Sequence, residues 1–316
     1  MSVKIVTDST VDLSTQYVKE LGLTVVPVYI QIGEKNYRDG VDISQDEFYD
    51  KLVNSPVYPI TSQPTPDDFA RVYRELSKEI DEIVSIHVSS KLSGTYNSAL
   101  QGKAIAATKS NITIIDSKSV TVGLGLTTLS AARLAKAGEN LTKILDDIKQ
   151  AINNTHLLGT FDTLKYLVRG GRIGKAKALL GSVLNVKPIV TLRDGEIVPI
   201  GNVRTRAKAI EKLFESVKNA LNILEISVVH STTPDEAREL RDRLSSLVSS
   251  DRIHLEQLGP ALGVHGGPGT LIVAFRNEPG IAIESEPHKL LPKLPIKKIS
   301  VPSLHLPKPK LKLPHR

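Results

Sequence analysis

Short apolar runs alternate with helical periods through the first half of the chain, and this alternation constrains the fold more than any other feature. Residues 4–8 predict a strand, and residues 14–22 predict a helix that ends at Gly22, a residue suited to a left-handed C-cap. Further strands are predicted at 82–89 and 112–116. Because helical segments separate these strands, the pattern is typical of βαβ units and predicts a mainly parallel sheet.

One segment interrupts this alternation. Residues 24–43 are rich in β-forming residues and contain the turn sequence Gly-Glu-Lys-Asn at 33–36, which predicts a small hairpin insertion. Two helix starts follow it. Ser44 with Glu47 has the spacing of a capping box, and Thr65 precedes a proline and two acids, which favour the first turn of a helix.

The pattern of predicted helices and strands changes near residue 155. Strands are predicted around 156–161, 225–231 and 270–275, and Asp194-Gly195 predicts a type I′ hairpin turn. The predicted fold class is therefore α/β, with two α/β domains: an N-terminal mainly parallel sheet with the hairpin insertion, and a C-terminal mixed sheet. We place the domains at 1–155 and 156–278, and a tail at 279–316.

The composition excludes several classes of protein. With no Cys among 316 residues, the chain has no disulfide scaffold, thiolate nucleophile, Cys-ligated metal or iron–sulfur cluster. No run approaches the ~18 apolar residues of a membrane span, and the N-terminus lacks the pattern of a signal or transit peptide. These features predict a cytoplasmic protein without a metal or other cofactor.

The basic charge belongs to the tail. Residues 287–316 hold seven Lys, one Arg and no acid, a charge of +8, whereas residues 1–286 hold 33 Lys and Arg against 34 Asp and Glu, a charge of −1. Seven of the eighteen prolines also lie there, which disfavours a continuous helix. The tail could contact anionic lipid at ~1 kcal/mol per basic residue, but its composition favours a solvated extension without a partner.

Familiar catalytic and phosphate-binding motifs fail on inspection. Gly174-Lys175 is followed by Ala176 rather than the Ser or Thr of a P-loop, and Gly123-Leu-Gly125 lacks the third glycine of a dinucleotide fingerprint. Asp8 resembles an aspartyl-phosphate nucleophile, but a turn or helix cap is the favoured interpretation. His265-Gly266-Gly267 resembles an esterase oxyanion loop, yet no Gly-x-Ser-x-Gly elbow accompanies it.

What remains is a set of hydroxyls at predicted strand ends. Thr61-Ser62 precedes one helix start, and residues 89–95 (SSKLSGT) link a strand to the next helix. Hydroxyls and unpaired backbone N–H groups at a helix start can bind an anion, and ligands of open α/β sheets sit at the carboxyl ends of strands. The alternative, ordinary helix capping, is equally consistent with the spacing.

At these residues the chain resembles the DegV family of bacterial fatty-acid-binding proteins. Six motifs occur in the family's order: VTDSTVDL (6–13), YRDGVDI (37–43), TSQPT (61–65), SSKLSGTYNSA (89–99), LKYLVRGGRIGK (164–175) and HGGPGTL (265–271). The resemblance covers roughly residues 3–276 and excludes the tail. Thr65 stands where the family usually has Ser, a conservative change at a helix cap.

The resemblance implies a long-chain fatty acid, such as palmitate, buried between two α/β domains. Position by position, it places Thr61 and Ser93 on the carboxylate, with Ser62, Gly94 and His265 in support. Arg172 is a weaker candidate. It implies a carrier rather than an enzyme, whose bound acid a separate fatty acid kinase subunit phosphorylates for phospholipid synthesis.

Two further expectations accompany the carrier hypothesis. Arg204, Arg206 and Lys208 near a predicted helix start could form a docking surface for the kinase or for transient membrane contact, although a solvated helix face fits each residue better. The few aromatic residues and the net charge of −1 over residues 1–286 disfavour nucleic-acid binding.

The alternative function is a hydrolase or phosphotransferase that uses Asp8 or Ser93, and it requires a base paired with the nucleophile.

Overall fold

The strands that the structure describes form three sheets. The computed structural model describes residues 2–180 and 186–278, so the predicted tail lies outside the described residues. The strands are β1 Val3–Asp8, β2 Thr24–Val26, β3 Tyr29–Ile32, β4 Lys35–Arg38, β5 Ile60–Ser62, β6 Glu82–His87, β7 Asn111–Asp116, β8 Thr155–Thr160, β9 Lys187–Arg193, β10 Glu196–Val203, β11 Ile223–His230, β12 Ile253–Gln257 and β13 Leu271–Asn277.

Helices connect and cover these sheets. They are α1 Thr15–Glu20, α2 Gln45–Asn54, α3 Pro66–Leu76, α4 Thr95–Ala106, α5 Thr121–Lys136, α6 Leu141–Asn154, α7 Lys165–Arg169, α8 Arg206–Lys218, α9 Pro234–Leu244 and α10 Pro260–Gly266. Short 3-10 helices occur at Ser9–Val11, Gly174–Leu179 and Ser250–Arg252. Across residues 2–180 and 186–278, no helix has the length and apolar character needed to cross a membrane.

The first sheet is parallel, as predicted. Its strand order is β2-β1-β6-β7, and every neighbouring pair runs parallel. Sequence reasoning placed residues 24–26 in the hairpin insertion, and this placement is wrong because β2 pairs with β1 at the edge of the parallel sheet. The β-rich composition of 24–32 concealed the change of sheet between Val26 and Tyr29.

A second, three-stranded antiparallel sheet contains the predicted hairpin. β3 and β4 turn at Gly33-Glu34, where Gly33 has a φ of +63°. β5 pairs with the other edge of β3 and opposes Ile30 to Thr61. This pairing fixes Thr61, a predicted site residue, on a short strand.

The third sheet is mixed and has the order β10-β9-β8-β13-β11-β12. β11 and β12 run parallel, whereas the other pairs are antiparallel. The predicted turn between β9 and β10 is confirmed, because Asp194 and Gly195 both have positive φ, +49° and +79°, as a type I′ turn requires. The chain passes directly from α6 into β8 near the domain boundary predicted at residue 155, and that boundary stays a prediction.

Two helix starts follow the predicted chemistry. The Ser44 hydroxyl accepts a hydrogen bond from the Glu47 amide, 3.2 Å away. Thr65 and Asp68 form a reciprocal capping box before Pro66. The α3 cap matters for the site because it anchors the chain immediately after β5 and Thr61.

The helix α5 packs against both large sheets. Leu124 and Ala131 belong to the apolar core of the parallel sheet, with Ile5 and Val84. Leu126 instead packs with residues of the mixed sheet, among them Ile272. Because its opposite faces are both buried, α5 is shared by the two halves of the chain.

Candidate functional site

A mostly apolar cavity lies where the carboxyl ends of the parallel strands meet elements of the mixed-sheet half. The space between its atoms is about 740 Å³, a volume that includes open solvent at its mouth. Its apolar wall includes Val88, Leu92, Phe161, Leu167, Leu258 and Ile272. Both halves of the chain therefore contribute to one cavity.

Four predicted site residues line this cavity: Thr61, Ser93, Arg172 and His265. The Thr61 Oγ1 atom lies 2.8 Å from His265 Nε2, a contact between β5 and α10. The Ser93 Oγ atom lies 2.8 Å from Thr95 Oγ1 and accepts the Thr95 amide at 3.3 Å, at the N-terminus of α4. Thr61 and His265 are 204 positions apart in sequence, and the fold brings them into contact at the cavity wall.

The imidazole of His265 is uncharged at neutral pH. Burial lowers its pKa to about 4, and the positive charge of Arg172 lowers it further in the same direction. Its Nδ1 atom is buried and has no hydrogen-bond partner within the described part of the chain. Nδ1 faces Gly170, where a Cβ atom would lie 2.1 Å away. A glycine at position 170 therefore makes room for the ring.

Two backbone oxygens fix the guanidinium of Arg172. Its Nε donates to the Leu92 carbonyl at 3.1 Å, and its Nη1 donates to the Gly170 carbonyl at 2.7 Å. These bonds connect the segment after α7 to the loop that carries Ser93. They hold a permanent positive charge beside the two hydroxyls and the imidazole.

Three other threonines line the cavity but donate their hydroxyl protons elsewhere. Thr10 Oγ1 donates to Asp8 at 2.5 Å, Thr121 Oγ1 to Asp12 at 2.6 Å, and Thr270 Oγ1 to the Gly267 carbonyl at 2.9 Å. Their protons are therefore committed within the protein. The donors that remain for a ligand are concentrated at Thr61, Ser93 and Arg172.

Ser62 and Gly94 are not among the described residues that line the cavity. Successive side chains of a strand point to opposite faces, so Thr61 lines the cavity and Ser62 is exposed. Gly94 supports the site indirectly, because a Cβ atom there would lie 2.9 Å from the Gln63 side-chain amide. Gly94 thus lets the chain after β5 approach the start of α4.

The predicted docking residues differ in their surroundings. The Arg206 guanidinium is half-buried, donates to Glu236 at 2.7 Å and donates to the Gly269 carbonyl at 2.7 Å. Arg204 and Lys208 are exposed. Arg206 therefore connects α8 to α9 and the loop before β13, whereas the other two residues present their charges to solvent.

Sequence reasoning missed the inward threonines and the apolar wall. Thr10 and Thr270 lie within motifs that carried the family resemblance, but nothing in their spacing showed that they face one cavity. Thr121 carried a clearer local signal, since it follows a strand-to-helix connection at the carboxyl edge of the parallel sheet, where ligands bind.

A Ser, a His and an Asp beside Thr10 are hydrogen-bonded in the order of a hydrolase triad, but all three are buried where a substrate cannot reach them. His87 Nδ1 lies 3.0 Å from Asp8 Oδ2, and His87 Nε2 lies 2.7 Å from Ser85 Oγ. Ser85, His87 and Asp8 are each 0% exposed, and Ser85 also contacts the buried Tyr73 hydroxyl. Asp8 caps the 3-10 helix through the Thr10 amide, as the favoured interpretation predicted.

The fold and the site define an α/β protein with an apolar cavity that has one polar, positively charged end. The DegV family model matches residues 2–278. A DegV domain-containing protein of Caldanaerobacter subterraneus is 36% identical over 279 residues, which cover 87% of this chain and 99% of that protein. One from Deinococcus radiodurans is 36% identical over 281 residues, 87% and 98% of the two chains. The chain belongs to the DegV family.

Solved structures agree with this assignment. A DegV family protein from Thermus thermophilus, described by its fatty acid binding, matches with a TM-score of 0.82 and 33% identity over 88% of this chain and all of that chain. A stearic-acid-binding protein from Eubacterium ventriosum matches with a TM-score of 0.79 and 30% identity over 87% of this chain and 98% of that chain. DegV of Bacillus subtilis, named as a fatty acid binding protein, matches with a TM-score of 0.79 and 29% identity over 88% of this chain and all of that chain.

Proposed function

We propose that the protein binds a long-chain fatty acid in the cavity, with the carboxylate at Thr61 and Ser93. The observation that supports this proposal most is that a mostly apolar cavity has one polar end. Two similar proteins of known structure are also named for fatty acid binding. The acyl chain of a fatty acid needs an apolar wall, and its carboxylate group needs hydrogen-bond donors and a positive charge.

The neutral imidazole of His265 determines which proton Thr61 can donate to a ligand. If His265 Nε2 carries the ring proton, it donates to Thr61 Oγ1, and Thr61 is then free to donate its own proton to a carboxylate oxygen. Ser93 donates to the second oxygen, and Arg172 compensates the negative charge. The His265 side chain thus orients Thr61, while the two hydroxyls contact the ligand.

The acyl chain supplies most of the binding energy. Burying ~14 methylenes at ~0.8 kcal/mol each gives on the order of 11 kcal/mol before ordering costs, whereas each charge-assisted hydrogen bond to the carboxylate adds ~1.5–3 kcal/mol. The chain therefore sets affinity, and the polar end sets orientation. Loss of one hydroxyl weakens binding without abolishing it.

The protein acts in this proposal as a cytoplasmic carrier and not as an enzyme. A separate fatty acid kinase subunit would phosphorylate the bound carboxylate, and Arg204 with Lys208 would contribute to its docking surface or to transient membrane contact. Arg206 is less suited to that role because it is paired with Glu236. Charge reversal at Arg204 and Lys208 is the test, with kinase coupling and exchange of fatty acid with vesicles as the two measurements.

The alternative enzymatic function lacks support from the geometry. Ser93 contacts the Thr95 hydroxyl rather than a base, and the histidine beside Asp8 is fully buried. Turnover of an acyl ester or phosphoester that Ser93→Ala abolishes would restore this function as the leading one.

Native mass spectrometry of protein purified without added lipid tests fatty-acid binding directly. We expect a stoichiometric long-chain acid, identified after solvent extraction, and weaker retention in Thr61→Ala and Ser93→Ala. Ser62→Ala serves as the matched control, because this exposed hydroxyl lies one residue from Thr61. A protein that carries no lipid and does not bind added palmitate or oleate would refute the proposal.

A further inference from the structure

The short helix α10 carries His265 and begins between two carboxylates from the first half of the chain. Asp12 Oδ1 accepts the Gly259 amide at 2.9 Å, and Asp39 Oδ1 accepts the Ala261 amide at 3.3 Å. The amides at a helix start have no partner within the helix. These two side chains therefore satisfy them and fix where α10 begins.

Asp12 is itself held against the cavity wall. Its second oxygen accepts the Thr121 hydroxyl at 2.6 Å, and Thr121 lines the cavity. Asp12 and Thr121 both have left-handed backbones, with φ of +44° and +49°, a conformation that is strained for a β-branched residue. Such strain persists where surrounding contacts hold it and is frequent at binding sites.

The contact between Asp12 and α10 leaves no room for a side chain at Gly259. A Cβ atom at this position would lie 2.7 Å from Asp12 Oδ1, while Asp39 would be 3.7 Å away. The backbone at Gly259 is in the extended region, with φ of −64° and ψ of 156°. Space beside Asp12, rather than backbone freedom, therefore favours glycine here.

The opposite end of α10 reaches the polar end of the cavity. A seven-residue helix is about 10 Å long, and its sixth residue is His265, which contacts Thr61. A shift at the first turn moves the imidazole with the helix. Tyr49 and Tyr58 also hold this region, through the carbonyls of Leu258 and Val264, so the helix keeps other supports when a carboxylate is removed.

We propose that Asp12 and Asp39 are positioning residues for ligand binding, which hold α10 where His265 can orient Thr61 toward a carboxylate. The inference rests on the proposed fatty-acid binding and adds two residues that do not touch the ligand. Its consequence is selective: a displaced α10 impairs recognition of the carboxylate more than it impairs burial of the acyl chain.

Affinity for two ligands of equal chain length tests this selectivity. Asp12→Ala and Asp39→Ala are expected to weaken palmitate binding about tenfold or more, and hexadecanol binding about threefold or less, because the charge-assisted bonds are the ones affected. Asp12→Asn keeps an oxygen that accepts the Gly259 amide, and we expect it to bind palmitate at least about threefold more tightly than Asp12→Ala.

Substitution of Gly259, at the start of α10, tests the same contact with Asp12. Gly259→Ala is expected to weaken palmitate binding in the wild-type background, because its methyl group displaces Asp12. In the Asp12→Ala background the methyl group has room, so Gly259→Ala should add little. This non-additivity is expected of residues in direct contact, and it is measured on the two single variants and the double variant.

The outcomes separate the two hypotheses. If wild-type protein binds neither palmitate nor oleate, the proposed function fails and this inference fails with it. If wild-type protein binds palmitate, and the alanine variants bind it equally well or lose both ligands to the same extent, the positioning role is refuted while fatty-acid binding stands. Additive effects of Asp12→Ala and Gly259→Ala would also refute it.

Discussion

The backbone at Gly170 lies against the imidazole of His265, and this contact connects a single glycine to the polar end of the cavity. Gly170 has a φ of −76°, which any residue adopts, so the conformation does not require glycine. The requirement is space, because a Cβ atom would lie 2.1 Å from His265 Nδ1.

Gly170→Ala should therefore weaken fatty-acid binding through displacement of the His265 ring. We expect palmitate affinity to fall about tenfold and the free energy of unfolding to fall by ~1–3 kcal/mol from overpacking. Titration with palmitate and thermal unfolding measure the two effects. Gly201→Ala is the control, since its Cβ would meet no atom within 4 Å, and an unchanged affinity in Gly170→Ala would contradict the interpretation.

Asp39 gives the stability of the protein a pH dependence. Burial raises its pKa to about 6, while the Ser9 hydroxyl and the Ala261 amide oppose the rise, and the nearby Asp8 charge adds to it. Asp12, also buried and facing Asp39 and Glu256, has its pKa raised well above the ordinary value. A carboxyl with a raised pKa destabilises the folded state once it must ionise.

Asp39→Asn should make the protein more stable at alkaline pH. The unfolded chain loses the Asp39 proton near pH 3.9 and the folded chain near pH 6, so the wild-type penalty grows between these values and is complete above them. The variant's advantage in unfolding free energy should rise from near zero at pH 3 toward an upper limit of about 3 kcal/mol at pH 8. Urea unfolding at both values measures it, and a pH-independent difference would contradict the assignment.

At the residue scale, the sequence motifs identified side chains that the fold brings to one cavity, and their contact with a ligand stays a prediction. Thr61, Ser93, Arg172 and His265 all line the cavity. Asp12 and Asp39 could not be linked to α10 in this way, because their partners lie 247 and 222 residues away. Local spacing holds no information about such contacts.

At the scale of elements, α5 explains how two sheets form one molecule. Its residues from Thr121 to Leu129 are all buried, and helices that are apolar all round belong to interiors. Small residues of α5 also permit close approach, since a Cβ atom at Gly125 would lie 3.1 Å from the Val11 carbonyl oxygen.

Leu126→Ala should destabilise both sheets. The side chain is 0% exposed, and truncation of a buried leucine costs ~2–5 kcal/mol. Because α5 is shared, amide hydrogen exchange should accelerate in β1 and β6 as well as in β11 and β13. Leu100→Ala, on the partly exposed face of α4, is the control. Faster exchange confined to the mixed sheet would show that the halves unfold independently.

Sequence periodicity predicted the parallel sheet and the mixed sheet but missed some elements. The helix α6 was not predicted, although Ile144, Ile148 and Ala151 are buried at the spacing of one helical face. β2 was assigned to the wrong sheet because a three-residue strand contains too little pattern to show its partner. Strand pairing depends on long-range contacts that composition does not encode.

At the scale of the whole molecule, the described residues that form the cavity all precede the basic tail in sequence. Every described residue that lines the cavity lies between positions 10 and 272, and the family match ends at residue 278. We therefore expect fatty-acid binding not to require the +8 charge of residues 287–316.

A chain that ends at residue 282 should bind palmitate with an affinity within about twofold of the full chain, a difference of ~0.4 kcal/mol. Binding to anionic and neutral vesicles, measured on the same two chains, tests whether the tail contacts lipid, and an unchanged result supports a solvated extension. A large loss of palmitate affinity on truncation would show that the tail contributes to the site.

The sharing of α5 and the capping of α10 by Asp12 and Asp39 also limit how this chain can exchange halves with a relative. A chimera that joins the first half of one relative to the second half of another near residue 155 must match both faces of α5 and the start of α10 at once. Recombination at this point should rarely yield a working protein. Ligand preference is then expected to change through substitutions in the cavity wall rather than through exchange of halves.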